Sequence, residues 1–141
     1  MARTIDYRAL ADFRYEIRRF LNFSEAAARA AGIEPQQHQA LLAIKGRPAG
    51  LATTVGVLAE RLQIRHHSAV ELSGRLEKRG WIRRSRSGPD RREVRLRLSS
   101  RGETLLAKLS LAHRSELRSA EPRLVRALSL AVARRNRRSR R

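Results

Sequence analysis

No cysteine occurs in the 141 residues. That absence removes disulfides, thiolate metal ligation and thiol-based redox sensing together. Acidic residues are scarce: 13 Asp and Glu stand against 32 Lys and Arg, a formal charge of +19 at pH 7. Such an imbalance points to a polyanionic partner. No apolar run reaches the roughly eighteen residues of a membrane-crossing helix. The leading MARTIDYRALADF lacks a signal-peptide core, so a cytoplasmic protein without a membrane partner is expected. Reaction chemistry is missing too. There is no nucleophile motif, no Gly-rich phosphate loop and no pair of acids in a defined context, so an enzyme is not expected. Of the 4 histidines, His66 and His67 are adjacent and cannot both aim at one ion without distortion. No carboxylate cluster accompanies them, so neither metal nor cofactor is expected.

What is present centres on Thr53 to Ser99. TTVGVLAERL predicts a helix with Thr54 as N-cap and Val55, Leu58, Ala59 and Leu62 on one face. After a turn at Gln63, Ile64 and Arg65, HHSAVELSGRLEKRG predicts a second helix, with Ala69, Leu72 and Leu76 at spacings of three and four. Gly80, just beyond the cationic Lys78 and Arg79, marks its end. Two short strands follow, around WIRRSR and EVRLRLS, joined by SGPDRR. In the second, Val94, Leu96 and Leu98 alternate with Glu93, Arg95 and Arg97, giving one apolar and one charged face. The hairpin holds Arg83, Arg84, Arg86, Arg91, Arg92, Arg95 and Arg97 against only Asp90 and Glu93. Directly after a helix-turn-helix, such a projection suits phosphate or minor-groove contact.

Ahead of this stretch, Ile5 to Ala31 reads as one long helix, with a heptad-like seam of Leu10, Phe13, Ile17, Phe20, Ser24, Ala27 and Ala31. A rod of roughly 35–40 Å cannot be covered by one small winged helix, and Leu21 and Phe23 beside the seam add to its unburied apolar surface. Gly32 ends it. Pro35 suits the first position of a following helix, in which Leu41, Leu42 and Ile44 are expected on the core. His38 there is read as a structural histidine, and GRPAGLATT as a loop. Beyond the hairpin, Ser99 or Ser100 caps another helix, with Ser100 and Glu103 at capping-box spacing. Leu105, Leu106, Leu109, Ala112 (or His113) and Leu117 carry it to Pro122, and a shorter helix is expected through Leu124, Leu128 and Val132. The excess of apolar helix faces calls for a second copy of the chain.

The run LAERLQIRHHSAVELSGRLEKRGWIRRSRSGPDRREVRLRLSSRG resembles the winged helix of the MarR family of transcriptional regulators, and GIEPQQHQALLAI resembles the segment preceding it there. The likeness covers roughly residues 5–132, and LEKRGWIRR, DRR and LSSRG at their spacings carry most of it. Glu34 and Arg65 depart from the capping residues usual in that family, and the last eight residues match nothing typical of it. The resemblance implies a mainly α fold with a small β-hairpin wing, a winged helix-turn-helix plus a helical dimerisation region. It places a MarR-type domain over 1–133, with 5–34 and 99–133 forming the helical dimerisation region and 35–98 the DNA-binding winged helix. The tail 134–141, RRNRRSRR, is expected to be basic and disordered. It further implies the cap at Ser99, an Asp90 that supports the wing arginines by ion pairing, and a small-molecule effector.

The expected function is that of a homodimeric, sequence-specific regulator, a repressor, on near-palindromic double-stranded DNA. On the second helix, His67, Ser68, Val70, Glu71 and Arg75 lie away from the core stripe and are the base-reading candidates, while His66 suits a phosphate near the helix start. Arg75 could donate to guanine and Val70 could meet a thymine methyl; Glu71 could accept from cytosine or pair with Arg75. Thr53 and Thr54 fit either phosphate contact or capping. On the wing, Arg84, Arg86, Arg91, Arg92 and Arg95 are the DNA candidates, with Arg91 and Arg92 nearest the turn. The competing reading is an architectural protein that coats DNA without sequence preference.

Overall fold

The computed structural model describes residues 4–86 and 88–133; the arginine-rich tail lies outside the described residues. Five helices and a three-stranded sheet run in the order α1 (Tyr7–Ala30), α2 (Pro35–Lys45), β1 (Thr53–Thr54), α3 (Val55–Leu62), α4 (His66–Lys78), β2 (Ile82–Ser85), β3 (Arg95–Leu98) and α5 (Ser100–Val132). The fold is thus mainly α with a small antiparallel sheet, as the winged-helix reading expects. The chain divides into two compact units, Glu25–Leu111 and the residues up to Ser24 combined with those from Ala112.

Local chemistry sets the element ends. Asp6 Oδ1 accepts from the Ala9 N–H at 3.0 Å and starts α1. Gly32 ends that helix at φ 82°, with the Ile33 N–H returning to the Ala28 carbonyl at 3.1 Å. Pro35 opens α2, where the Glu34 N–H donates to Gln37 Oε1 at 3.3 Å. Thr54 Oγ1 accepts from the Val57 N–H at 3.2 Å and caps α3, and Gln63 closes that helix at φ 55°. Gly80, at φ 79°, turns the chain out of α4.

The core of the 25–111 unit is built from Ala28, Ile33, Leu41, Ile44, Leu58, Leu72, Leu76, Ile82, Leu96, Leu98, Leu106 and Leu109. His38 is buried in the same unit. The sheet order is β1-β3-β2, with Thr53 opposite Leu96 and Ile82 opposite Leu98. Three expectations change here. The stretch read as a loop contains β1, which pairs with β3 through only two residues. Leu42 is 46% exposed, because one helical step turns it away from the core side of Leu41. And α5 does not stop at Pro122 but continues as one helix of 33 residues. Pro122 and its neighbours Glu121 and Arg123 are exposed, so water can hydrate the carbonyl whose amide partner the proline removes. The cap of α5 is Ser99, whose Oγ accepts from the Gly102 N–H at 3.1 Å.

In the other unit, Ala9, Ser24, Ala120 and Ala127 are buried. His113 Nε2 lies 2.7 Å from Ser24 Oγ, with the rings of Phe20 and Phe23 edge-on at 5.9 and 5.5 Å. Buried Glu16 takes a hydrogen bond from Arg123 Nε at 3.3 Å. The seam read on α1 is only half covered: Phe13, Ile17 and Phe20 are intermediate and Leu10 is exposed. Leu21, Leu117, Val125, Leu128 and Leu130 are also exposed.

Candidate nucleic-acid interface

The amphipathic pattern of α4 settles its orientation. Ala69, Leu72, Ser73 and Leu76 are buried, and Ser73 Oγ donates to the Val70 carbonyl at 2.8 Å. His66, His67, Val70, Glu71, Arg75 and Lys78 are exposed, with Ser68 and Gly74 intermediate. One side of α4 therefore offers imidazoles, a small apolar group, a carboxylate and a guanidinium to solvent, a mixture suited to base edges. Arg75 Nη2 lies 3.8 Å from Glu71 Oε2 across one helical turn, both side chains about two-thirds exposed. Both readings of Glu71 thus fit the geometry, since an exposed pair of this kind contributes only about 0.3–0.5 kcal/mol.

The two threonines have other employment. Thr53 is buried and its Oγ1 donates to the Ile44 carbonyl at 3.2 Å. A buried hydroxyl is not presented to phosphate, so the phosphate reading of Thr53 is corrected to a structural one. Thr54 spends its oxygen capping α3.

The hairpin's arginines divide by what holds them. Arg84 is tied to α4: its N–H donates to Glu77 Oε2 at 2.9 Å and its Nε to Glu77 Oε1 at 3.1 Å. The hydrogen bond from the Arg84 backbone, reinforced by the guanidinium, holds the Glu77 carboxyl below its ordinary range despite some desolvation. At the turn, Asp90 Oδ1 accepts from the Arg92 N–H at 3.0 Å and lies 3.6 Å from Arg92 Nε, leaving the Arg92 side chain 95% exposed. Arg86 Nη1 donates to the Arg91 carbonyl at 3.3 Å, bracing the loop, and Arg91 itself is exposed. Arg95 is half-buried and packs its guanidinium against the Gly88 backbone. The candidates with the freest access to a duplex are therefore Arg91 and Arg92.

Three contributors act through contacts that sequence spacing alone does not announce, although Trp81 reads as a core residue from its type. Glu77 joins a helix to a strand across a turn, a pairing no helical spacing announces. Trp81 is buried at the base of the wing, with the Arg101 guanidinium 4.8 Å and that of Arg79 6.0 Å from its ring centroid. Arg79 in turn donates to the Gly32 carbonyl at 2.8 Å and ties the end of α4 to the end of α1. Among the described residues, no group of three His, Asp or Glu could hold a metal ion, and no helix is long and apolar enough to cross a membrane.

Residues 31–93 match the MarR family's sequence pattern. No curated protein matches the sequence. Solved structures of similar fold include a MarR family transcription regulator, SP03579, at 20% identity and TM-score 0.73, covering 89% of this chain and 86% of that one. AbsC, a MarR family transcriptional regulator from Streptomyces coelicolor, is 17% identical with TM-score 0.71 and covers 93% of each chain. The transcriptional repressor CouR, solved bound to a 23-mer DNA duplex, is 23% identical with TM-score 0.65, covering 85% of this chain and 89% of that one.

Proposed function

From a chain whose residues 31–93 are of the MarR family and whose fold is that of MarR-family regulators, we propose a sequence-specific DNA-binding transcriptional regulator acting as a homodimeric repressor. The observation that carries this reading is the outward face of α4. His67, Val70, Glu71 and Arg75 stand exposed there, in the same compact unit as a wing whose Arg91 and Arg92 reach into solvent. Helix and wing have the shapes and charges for major-groove readout and phosphate or minor-groove contact respectively. The CouR structure supports duplex DNA as the partner of this fold.

A homodimer is supported by the uncovered apolar side chains of the two long helices, Leu10, Leu21, Leu117, Leu128 and Leu130 among them. Pairing two copies about a two-fold axis would present two α4 helices to a near-palindromic operator. A small-molecule effector that favours one spacing of the two helices over another completes the mechanism. Repression follows from occupying a promoter.

Competition binding separates this reading from a non-specific DNA-coating protein, which the charge of +19 favours. A regulator prefers a fragment from upstream of its own gene over random duplex by about a thousandfold or more. Comparable affinities for the two would establish the coating role instead. Light scattering at low micromolar concentration should give twice the chain mass of 16.1 kDa; a mass of one chain contradicts the dimer.

A further inference from the structure

Alternation along the wing strands puts Arg83, Ser85, Arg95 and Arg97 on the side of the sheet opposite Ile82, Leu96 and Leu98. On that outer face Arg83 and Arg97 are direct cross-strand partners, and Arg95 is the next outward residue along β3. Like charges set opposite each other in a ladder repel. Among the described residues none of these three guanidiniums has a carboxylate partner within ion-pair distance. Arg95 Nε, beside the Gly88 backbone, is moreover shielded from water without any hydrogen-bond partner. A concavity of about 640 Å³ runs along β2 and β3, lined by the polar Lys45, Arg83, Arg95, Arg97 and Glu103 and also by apolar side chains such as Leu51 and Leu96. Glu103 is already engaged, 2.8 Å from Lys45 Nζ.

We propose that the outer face of the wing sheet is a phosphate-binding site, in which Arg83 and Arg97 grip a phosphate or diphosphate group and Arg95 supplies a further donor. Cross-strand partners stand about 5 Å apart and alternate residues of a strand about 7 Å apart. Three guanidinium stems at those spacings suit two linked phosphates, each taken by paired N–H groups. The site is separate from the face of α4. Arg84, one residue along β2, points the other way and reaches Glu77, so Arg83 and Arg97 are directed away from that helix. The phosphate could belong to a small molecule or to a DNA backbone passing outside the wing. The inference does not rest on operator recognition, and a chain without sequence preference would still carry the site.

Inorganic pyrophosphate is the probe, titrated into the full chain at fixed ionic strength by calorimetry and by its effect on the melting temperature. The wild type should bind it and melt higher. The variant R83Q/R97Q should bind at least tenfold more weakly, while R14Q/R18Q, which removes the same charge from exposed positions of α1, keeps wild-type affinity. Without phosphate, R83Q/R97Q should melt above the wild type, because the opposed charges are gone; this also shows that the variant folds. Equal affinity in wild type and R83Q/R97Q, or an equal loss in R14Q/R18Q, would mean diffuse charge alone and overturn the site. Binding to duplex DNA identifies the source. If the backbone supplies the phosphate, R83Q/R97Q lowers the slope of log affinity against log salt by roughly two, and DNA displaces pyrophosphate. If a small molecule supplies it, the slope is unchanged and the DNA complex still takes up pyrophosphate.

Discussion

Glu77 on α4 receives both the backbone N–H and the guanidinium Nε of Arg84 on β2, at 2.9 and 3.1 Å. The wing is thereby fixed to the helix that precedes it by a carboxylate acting as a bidentate acceptor. Removing that acceptor in E77A should cost about 1 kcal/mol, the cost being limited by the partial exposure of both groups. Urea denaturation followed by the fluorescence of Trp81, the single tryptophan, measures it. The pH dependence has a definite sign. In the folded chain Glu77 ionises below its ordinary value of 4.5, so its contribution is complete above that value and is lost as pH falls through the lowered one. The wild type's advantage over E77Q should therefore shrink in acid. An advantage that holds or grows there would show that the carboxylate charge is not what secures the wing.

Gly102 in the first turn of α5 offers a sharper test of packing. A Cβ at this position would run into the Trp81 carbonyl oxygen, a backbone atom that cannot rotate aside. The substitution G102A must push α5 off the base of the wing, disturbing the Ser99 cap as it does so. A loss of roughly 3 kcal/mol or more is expected. Alanine is otherwise the better helix former, so a variant as stable as the wild type would mean that α5 packs elsewhere.

Much of this architecture was legible in the residues because its causes are local. The Thr54 cap, the end of α4 near Gly80 and the apolar stripe of Ala69, Leu72 and Leu76 each follow from chemistry within a few positions. What escaped depends on partners far along the chain or on solvent. β1 is a strand only because Leu96 and Arg95 lie opposite it. Thr53 turns inward because the Ile44 carbonyl needs a donor there. Pro122 leaves α5 unbroken where water reaches the helix. For the candidate site, the exposed face of α4 could be read from periodicity, whereas the engagement of Arg84 by Glu77 could not, since the turn between α4 and β2 decides it.

The ion pair between Glu71 and Arg75 leaves both side chains available to bases, since little is lost on breaking it. Arg75→Ala should weaken binding to the preferred duplex by about 1–3 kcal/mol and relax the preference at one base position. Lys78→Ala, near the end of α4, should instead weaken all sequences alike and flatten the salt dependence. A panel of duplexes with each base pair changed in turn distinguishes these patterns. Unchanged discrimination in R75A would remove this arginine from base readout.

At the wing turn, Asp90 and Arg92 lend themselves to opposite tests of one geometry. Arg92→Ala removes a cation from the exposed tip, so DNA affinity should fall and the slope of log affinity against log salt should become shallower by about one. Asp90→Ala keeps every arginine but deletes the acceptor for the Arg92 N–H, loosening the tip rather than discharging it. Its affinity should fall through the entropy of an unbraced loop, while the salt slope stays at the wild-type value or steepens. A salt titration of both variants on one duplex reads the difference. If R92A leaves affinity and slope untouched, the tip does not touch the duplex; if D90A matches R92A in slope, Asp90 is not acting as a brace.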